Sequence, residues 1–426
     1  MRSTITILTL LAGTSLTLGS AAAEDVTLNV FHPFGSHSKR FYEPIADEFM
    51  KLHPDVKITF RAEAQNYNEG HLTVVRQALT NELPDVWFSG YNLLGELVDT
   101  LEKRDQIVNL SPMLDAEGAA WVKENYAPNV LELGQVRGAQ WGMPFAASTP
   151  IVYYNLDLVK KAGGDPTNLP TDWDGILDLA KKIHALGDGV DGLTVNLSLD
   201  DDWQWQAILM GYGGQFMDAE KKTVTFGDEA GLAAVTLIQR LGKEASMPLL
   251  NEEQGIQQFV AGKMGMFFGS TAEVRTMDDA VKGKFEVKTG AFPLGDKDKG
   301  RLPSGGNAAV ILTADPAKQK AAWEYIKYST SPAGQKLVVL GSGYMPTNLK
   351  TTEPEYLGNF YADRPNWTTS MKQWPLATVW FGYPGSKGVK IWREQSPILN
   401  SIADGGTDPK AGLEQLVKAT QTLIDE

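Results

Sequence analysis

Three short apolar strands separated by two helices, all within residues 26–89, constrain this chain more than any other feature. Residues 26–31 and 56–60 alternate apolar with polar residues at the period of an extended strand. Between them Phe41, Ile45, Phe49 and Leu52 recur at helical spacing until His53-Pro54 stops the helix. A second helix starts at Tyr67 and runs through Leu79, and residues 83–89 are apolar enough for a strand covered on both faces. Strand, helix, strand, helix, strand predicts an α/β layer.

At 426 residues the chain exceeds one such layer, and two or three domains are expected. Arg2, an apolar stretch from Ile5 to Leu18 and Ala21-Ala22-Ala23 have the three parts of a secretory signal, with cleavage expected near Ala23. A membrane span needs roughly 20 apolar residues, and this run is shorter and broken by Thr, Ser and Gly. The absence of cysteine excludes disulfides, thiol catalysis, cysteine-rich zinc sites and a lipidated cysteine at the cleavage point. A net charge of −13 without a Lys/Arg cluster argues against nucleic acid and anionic lipid as partners. A freely diffusing monomer of a Gram-negative periplasm is the expectation.

Further along, residues 141–155 place a small-residue turn, Ala146–Thr149, before the strand-like run 151–154. Small residues let backbone approach a ligand, and Ser148 and Thr149 can hydrogen-bond to it. Asp200-Asp201-Asp202 reads as a helix start, residues 228–245 and 252–261 as helices, and residues 264–270 as a strand ending in a polar turn. Pro303-Ser304-Gly305-Gly306 is a second small-residue junction. Helices are expected at 316–328, 332–340, 391–402 and 410–424.

The motifs of catalysis are missing. The five histidines show no metal-ligand spacing, and His32 and His37 share a loop that reads as solvated. There is no nucleophile elbow, P-loop or dinucleotide fingerprint, so no catalytic residue, metal or cofactor is expected. What recurs is aromatic residues beside small polar turns: Tyr67, Tyr91, Trp203, Trp205, Tyr344, Trp374 and Trp380. Sugars and polyols present apolar C–H faces and a rim of hydroxyls, which call for flat rings plus donors and acceptors.

Residues 26–31, Phe49-x-x-x-His-Pro-Asp-Val56, Leu83-Pro-Asp-Val86, residues 144–155, Gly262-Lys-Met-Gly-Met266 and Gly343-Tyr-Met-Pro346 run in order along the chain. Together they resemble the carbohydrate group of extracellular solute-binding proteins of ABC importers, which includes maltose-binding protein. Residues 145–155 followed by Lys160-Lys-Ala-Gly163 look most like the glycerol-3-phosphate-binding proteins. The resemblance implies an α/β fold of the two-lobe type II periplasmic-binding class, with discontinuous lobes around a cleft. After a signal peptide at 1–23, residues 24–148 and 305–348 would form lobe 1, and 149–304 and 349–426 lobe 2.

The resemblance also places ligand contacts on Tyr67, Ser148, Ser270, Gly306 and Tyr344, with a stacking ring at Trp203 or Trp205. Tyr91 or Asn92 stands where the glycerol-3-phosphate binders use a carboxylate, and their C-terminal arginine has no match around residues 382–392. A phosphate dianion is held by an arginine fork or several backbone N–H groups. The departure favours a neutral sugar, glycoside or polyol derivative, while Lys387, Lys390 and Arg393 keep sn-glycerol 3-phosphate or another anionic ligand open. Delivery to a membrane permease is implied. The rivals are an exported glycoside hydrolase and a structural or adhesive periplasmic protein.

Overall fold

The structure is a computed structural model that describes residues 25–218, 220 and 222–426, and the expected signal segment 1–23 lies outside them. Nine strands build its two main sheets: β1 (Val26–Phe31), β2 (Val56–Phe60), β3 (Val86–Gly90), β4 (Met143–Ser148), β5 (Pro150–Asn155), β6 (Asp191–Thr194), β7 (Met264–Ser270), β8 (Val287–Ala291) and β9 (Gly305–Ile311). The first sheet has the order β2-β1-β3-β9-β4 and the second β8-β5-β7-β6. In the first, β1 runs parallel to β2 and β3, whereas β9 is antiparallel to β3 and β4.

Helices cover both sheets, and the ones that matter for the site are α1 (Glu43–Leu52), α2 (Tyr67–Thr80), α3 (Tyr91–Leu101), α4 (Trp203–Gly211), α5 (Glu229–Ala245), α6 (Glu252–Val260), α7 (Pro316–Ser329), α8 (Pro332–Gly341), α9 (Gly388–Ala403) and α10 (Pro409–Asp425). Their starts follow from local chemistry. Asn66 caps α2 by accepting the Glu69 N–H at 2.9 Å, and Asn251 with Gln254 forms a full capping box on α6.

Each sheet has its own core. Leu28, Val30, Phe41, Ile45, Phe49, Phe88 and Phe145 pack with Tyr325 of α7 behind the first sheet. Behind the second, Val152, Tyr154, Phe268 and Trp205 pack with Ile238 of α5, Leu399 of α9 and Leu416 of α10. Burying each large apolar side chain stabilises by about 1.5–3 kcal/mol, so each layer has a substantial core of its own.

The chain passes from the first sheet to the second at Thr149, between β4 and β5. Thr149 donates from its N–H and its Oγ1 to the Ser370 hydroxyl, at 3.0 and 2.8 Å, which anchors the turn. The return runs through residues 292–304, where Ser304 N–H donates to the Thr378 carbonyl at 2.7 Å. After α8 and a loop, the chain leaves again, and Leu357 and Trp367 pack on Tyr153 of β5.

Candidate ligand-binding site

Strand register brings the two crossings together. Ser148 at the end of β4 pairs with Gly305 at the start of β9, and Ala147 pairs with Gly306. Ser270, the last residue of β7, pairs with Pro150 at the start of β5. These strand ends open onto a cleft of about 670 Å³ between the sheets. Binding sites of open α/β sheets form at such strand ends.

Of the expected contacts, Tyr67, Ser148, Trp203, Ser270, Gly306 and Tyr344 all line this cleft. Tyr67 opens α2, accepts from Asn307 Nδ2 at 3.0 Å and is hydrogen-bonded to the Tyr344 hydroxyl. Ser148 is 1% exposed and its hydroxyl makes no hydrogen bond to another described residue, which leaves it free for a ligand. Gly306 sits at φ 116, and a Cβ there would lie 1.9 Å from the Ala146 carbonyl oxygen, so only glycine fits.

Two expected residues do not reach the cleft. Trp205 is fully buried in the second core, edge-on to Phe216 and Phe226. Positions 203 and 205 lie about 200° apart around α4, so one ring faces the cleft and the other the core. Tyr91 is buried in the first lobe, where its hydroxyl donates to the Ala146 carbonyl at 2.8 Å and braces the turn from behind.

The expectation of a solvated histidine loop is corrected as well: both rings are buried, His32 stacked on Tyr42 at 4.0 Å and His37 against Phe41 at 5.0 Å. Burial, with Arg40 nearby, pushes His37 down to about 3, so its 3.9 Å contact with Glu273 joins a neutral ring to a carboxyl. Lys387 and Lys390 pair with Glu426 at 3.2 and 3.4 Å, Arg393 is exposed on the same helix, and none of the three lines the cleft. Trp374 is half-buried beside the cleft wall and Trp380 lines it.

The rings form a continuous arc. Phe34 meets Tyr67 edge-on at 5.0 Å, Tyr67 meets Trp380 at 6.1 Å, and Trp380 meets Trp203 at 6.1 Å. Trp203 Nε1 donates to the Pro303 carbonyl at 3.2 Å, and Trp380 Nε1 donates to Asp202 at 2.9 Å. Both indoles are thereby fixed at the wall of the cleft.

Facing the arc is a set of acids that sequence reasoning did not single out as a group: Asp200, Asp201, Glu252, Glu253 and Glu273, against Arg40 and the neutral His37. Burial raises Asp201 to about 7, helped by the charges of Asp202 and Asp200 and opposed by the Trp203 N–H at 3.0 Å. Burial likewise raises Glu252 well above the carboxylate range, and Glu273, Asp201 and Asp200 add to it. Arg40 donates to the Thr276 hydroxyl at 2.9 Å. Among the described residues no group of three or more His, Cys, Asp or Glu is arranged to hold a metal ion.

Residues 35–336 match the family of bacterial extracellular solute-binding proteins. The sn-glycerol-3-phosphate-binding periplasmic protein UgpB of Brucella abortus (strain 2308) is 22% identical over 438 residues, covering 99% of this chain and 98% of that protein. Among solved structures, UgpB from Mycobacterium tuberculosis in complex with glycerophosphocholine aligns with a TM-score of 0.80 at 19% identity, covering 94% of this chain and 98% of that one. An ABC transporter solute-binding protein from Thermotoga lettingae bound with α-D-tagatose aligns at 0.79 with 19% identity, covering 94% and 100%. These likenesses show the two-lobe periplasmic-binding fold.

Proposed function

The chain belongs to the bacterial extracellular solute-binding protein family, whose members bind solutes for ABC importers rather than turn them over, and we propose that this one captures a hydroxyl-rich sugar, glycoside or polyol derivative. The ligand sits between the lobes, the lobes close on it, and the closed form delivers it to the membrane permease. The lobes exchange at 148/149, 304/305 and 348/349, and these links serve as the hinge. The protein is a periplasmic monomer, released by cleavage near Ala23.

The observation that carries this reading is the cleft lining. An arc of Phe34, Tyr67, Trp380 and Trp203 lines it with aromatic surface suited to C–H groups, while Ser148 and the carboxylates offer acceptors to hydroxyls. A second reading, sn-glycerol 3-phosphate, is supported by the name of the Brucella relative. Five acids against one arginine oppose a phosphate dianion in the same space.

The test is a thermal-shift screen of the mature protein over sugars, glycosides, polyols and their phosphates, since a bound ligand raises apparent stability by mass action. A stoichiometric shift without turnover is expected. No shift with any compound sinks the proposal, and hydrolysis of a chromogenic glycoside, lost on mutating two carboxylates, hands the site to the hydrolase reading.

A further inference from the structure

The charge of the cleft goes further than its hydroxyl chemistry. Among the described residues, no lysine, arginine or histidine lies within 4.0 Å of the side chains of Asp200, Asp201, Glu252 or Glu253, while Glu273 lies 3.9 Å from the neutral His37 and feels Arg40 and Thr276 as well. Glu252 opens α6 from the second lobe, and Asp201 precedes α4 on the same lobe. Both face Tyr67 of the first lobe, whose hydroxyl is raised to about 12 chiefly by burial and in part by these two charges. The Glu253 carboxylate accepts from Gln257 at 3.1 Å and is partly occupied, whereas the bond from Asn68 at 2.8 Å goes to the Asp200 backbone carbonyl and leaves that carboxylate out. The Glu252 carboxylate makes no hydrogen bond to another described residue.

A sugar hydroxyl satisfies one carboxylate oxygen but leaves its charge in place. Carboxylates crowded into a half-dry cleft repel one another, and the repulsion is relieved either by proton uptake, the direction in which Asp201 and Glu252 are shifted, or by a bound cation that takes the proton's place. Tyr67, Trp380 and Trp203 line the same cleft, and an ammonium group that approaches the face of any of these rings is attracted further. The independent pointer to a ligand in this space is Ser148, 1% exposed, lining the cleft and without a protein partner for its hydroxyl.

We propose that the cleft selects a polyhydroxylated ligand carrying a positively charged amine, with Asp201 and Glu252 holding the ammonium against the aromatic arc and Ser148 taking a hydroxyl. This rests on the solute-binding reading. The ammonium belongs either to an amino sugar or to a quaternary amine on a short polyol, and the chemistry of recognition is shared.

Calorimetric titration of the mature protein at pH 7 and low salt tests it with matched probes: the β-1,4 disaccharide of glucosamine, its N-acetylated form, cellobiose, glycerophosphocholine and sn-glycerol 3-phosphate. Expected is at least tenfold tighter binding, about 1.4 kcal/mol, of the free-amine disaccharide over its acetylated form and cellobiose, or of glycerophosphocholine over sn-glycerol 3-phosphate. The first result assigns the amino sugar and the second the quaternary amine. Glu252→Gln should reduce that preference to threefold or less, with the circular dichroism spectrum unchanged. Equal or tighter binding of cellobiose or sn-glycerol 3-phosphate, or an unchanged preference in Glu252→Gln, overturns this inference and leaves the solute-binding reading standing. Binding of none of the probes overturns both.

Discussion

Asp201→Asn should stabilise the ligand-free protein at alkaline pH and leave it unchanged in acid. The carboxyl is raised from 3.8 to about 7, first by burial in the cleft and then by Asp202 and Asp200. A difference of about three pH units at 1.36 kcal/mol each gives a ceiling of about 4 kcal/mol. Lobe opening lets water reach the group and relieves roughly half, leaving about 2 kcal/mol. Because the folded-state value is raised, the stability linked to this group is fully present below pH 3.8 and is lost as the pH rises through about 7. Asparagine does not ionise and keeps the Oδ1 that accepts the Trp203 N–H. With an unfolding entropy of about 2.1 cal/mol/K per residue over roughly 400 residues, 2 kcal/mol corresponds to about 2 °C in Tm. The assay is a pair of melting curves against pH, from 4 to 8, on protein freed of ligand by unfolding and refolding. Asp202→Asn is the control. Asp202, raised to about 6 by burial, accepts from both Gln206 and Trp380, so an amide loses one of those bonds and no gain follows. A variant melting with the wild type at pH 8, or a gain equal at pH 4 and pH 8, would refute the reasoning.

Three further substitutions separate the cleft from its supports. Trp205→Ala should cost about 3–5 kcal/mol in urea denaturation, because the ring is fully buried between Phe216 and Phe226, while Trp203→Ala should mainly weaken binding of whichever compound shifts the melt; equal stability losses would undo the assignment. Tyr344→Ala should weaken that binding at least tenfold by titration, about 1.4 kcal/mol, and unchanged affinity would remove Tyr344 from the site. Gly306→Ala should lower Tm and abolish binding together, since its Cβ would meet the Ala146 carbonyl oxygen at 1.9 Å and its φ is 116; a variant that melts and binds normally would show that the turn yields.

The layers were legible because hydrophobic period is a local property. The alternation of β1, the wholly buried β3 and the helical spacing of Phe41, Ile45 and Phe49 each reflect the face the residue buries. The cleft was half legible for the opposite reason. Both faces of α4 are buried, so no amphipathic contrast tells Trp203 from Trp205. Tyr91 carries the same aromatic-after-turn signature as Tyr67, and only the approach of the Ala146 carbonyl sends its hydroxyl inward. The buried histidine loop was misread since His32 and His37 bury against Tyr42 and Phe41 through short helical turns that polar composition does not announce. Glu252 and Asp201 are about fifty residues apart and become neighbours through the second sheet, which leaves no trace in spacing.

The seam between the lobes shows why charge in the cleft matters for closure. On the α3 side the protein supplies its own complements. The Glu96 carboxylate accepts the Gly388 N–H at the start of α9 at 3.1 Å and lies 3.2 Å from His71, and Asn68 of α2 donates to the Asp200 carbonyl at 2.8 Å. An anion at a helix N-terminus is stabilised by its unpaired N–H groups and dipole, so this half of the seam favours contact without help. Trp203, Trp380 and Val389 share one apolar cluster with Trp87, Leu94 and Leu97 of the first lobe, which adds burial to the same side. On the other side burial against Tyr67 strips water from Glu252 and Asp201 of the second lobe, so desolvation opposes the same closing motion there. A lobe pair built this way is held along one edge and opposed along the other. A molecule that supplies donors or positive charge to Asp201 and Glu252 tips the balance, and the energy by which it does so is the differential affinity that drives closure.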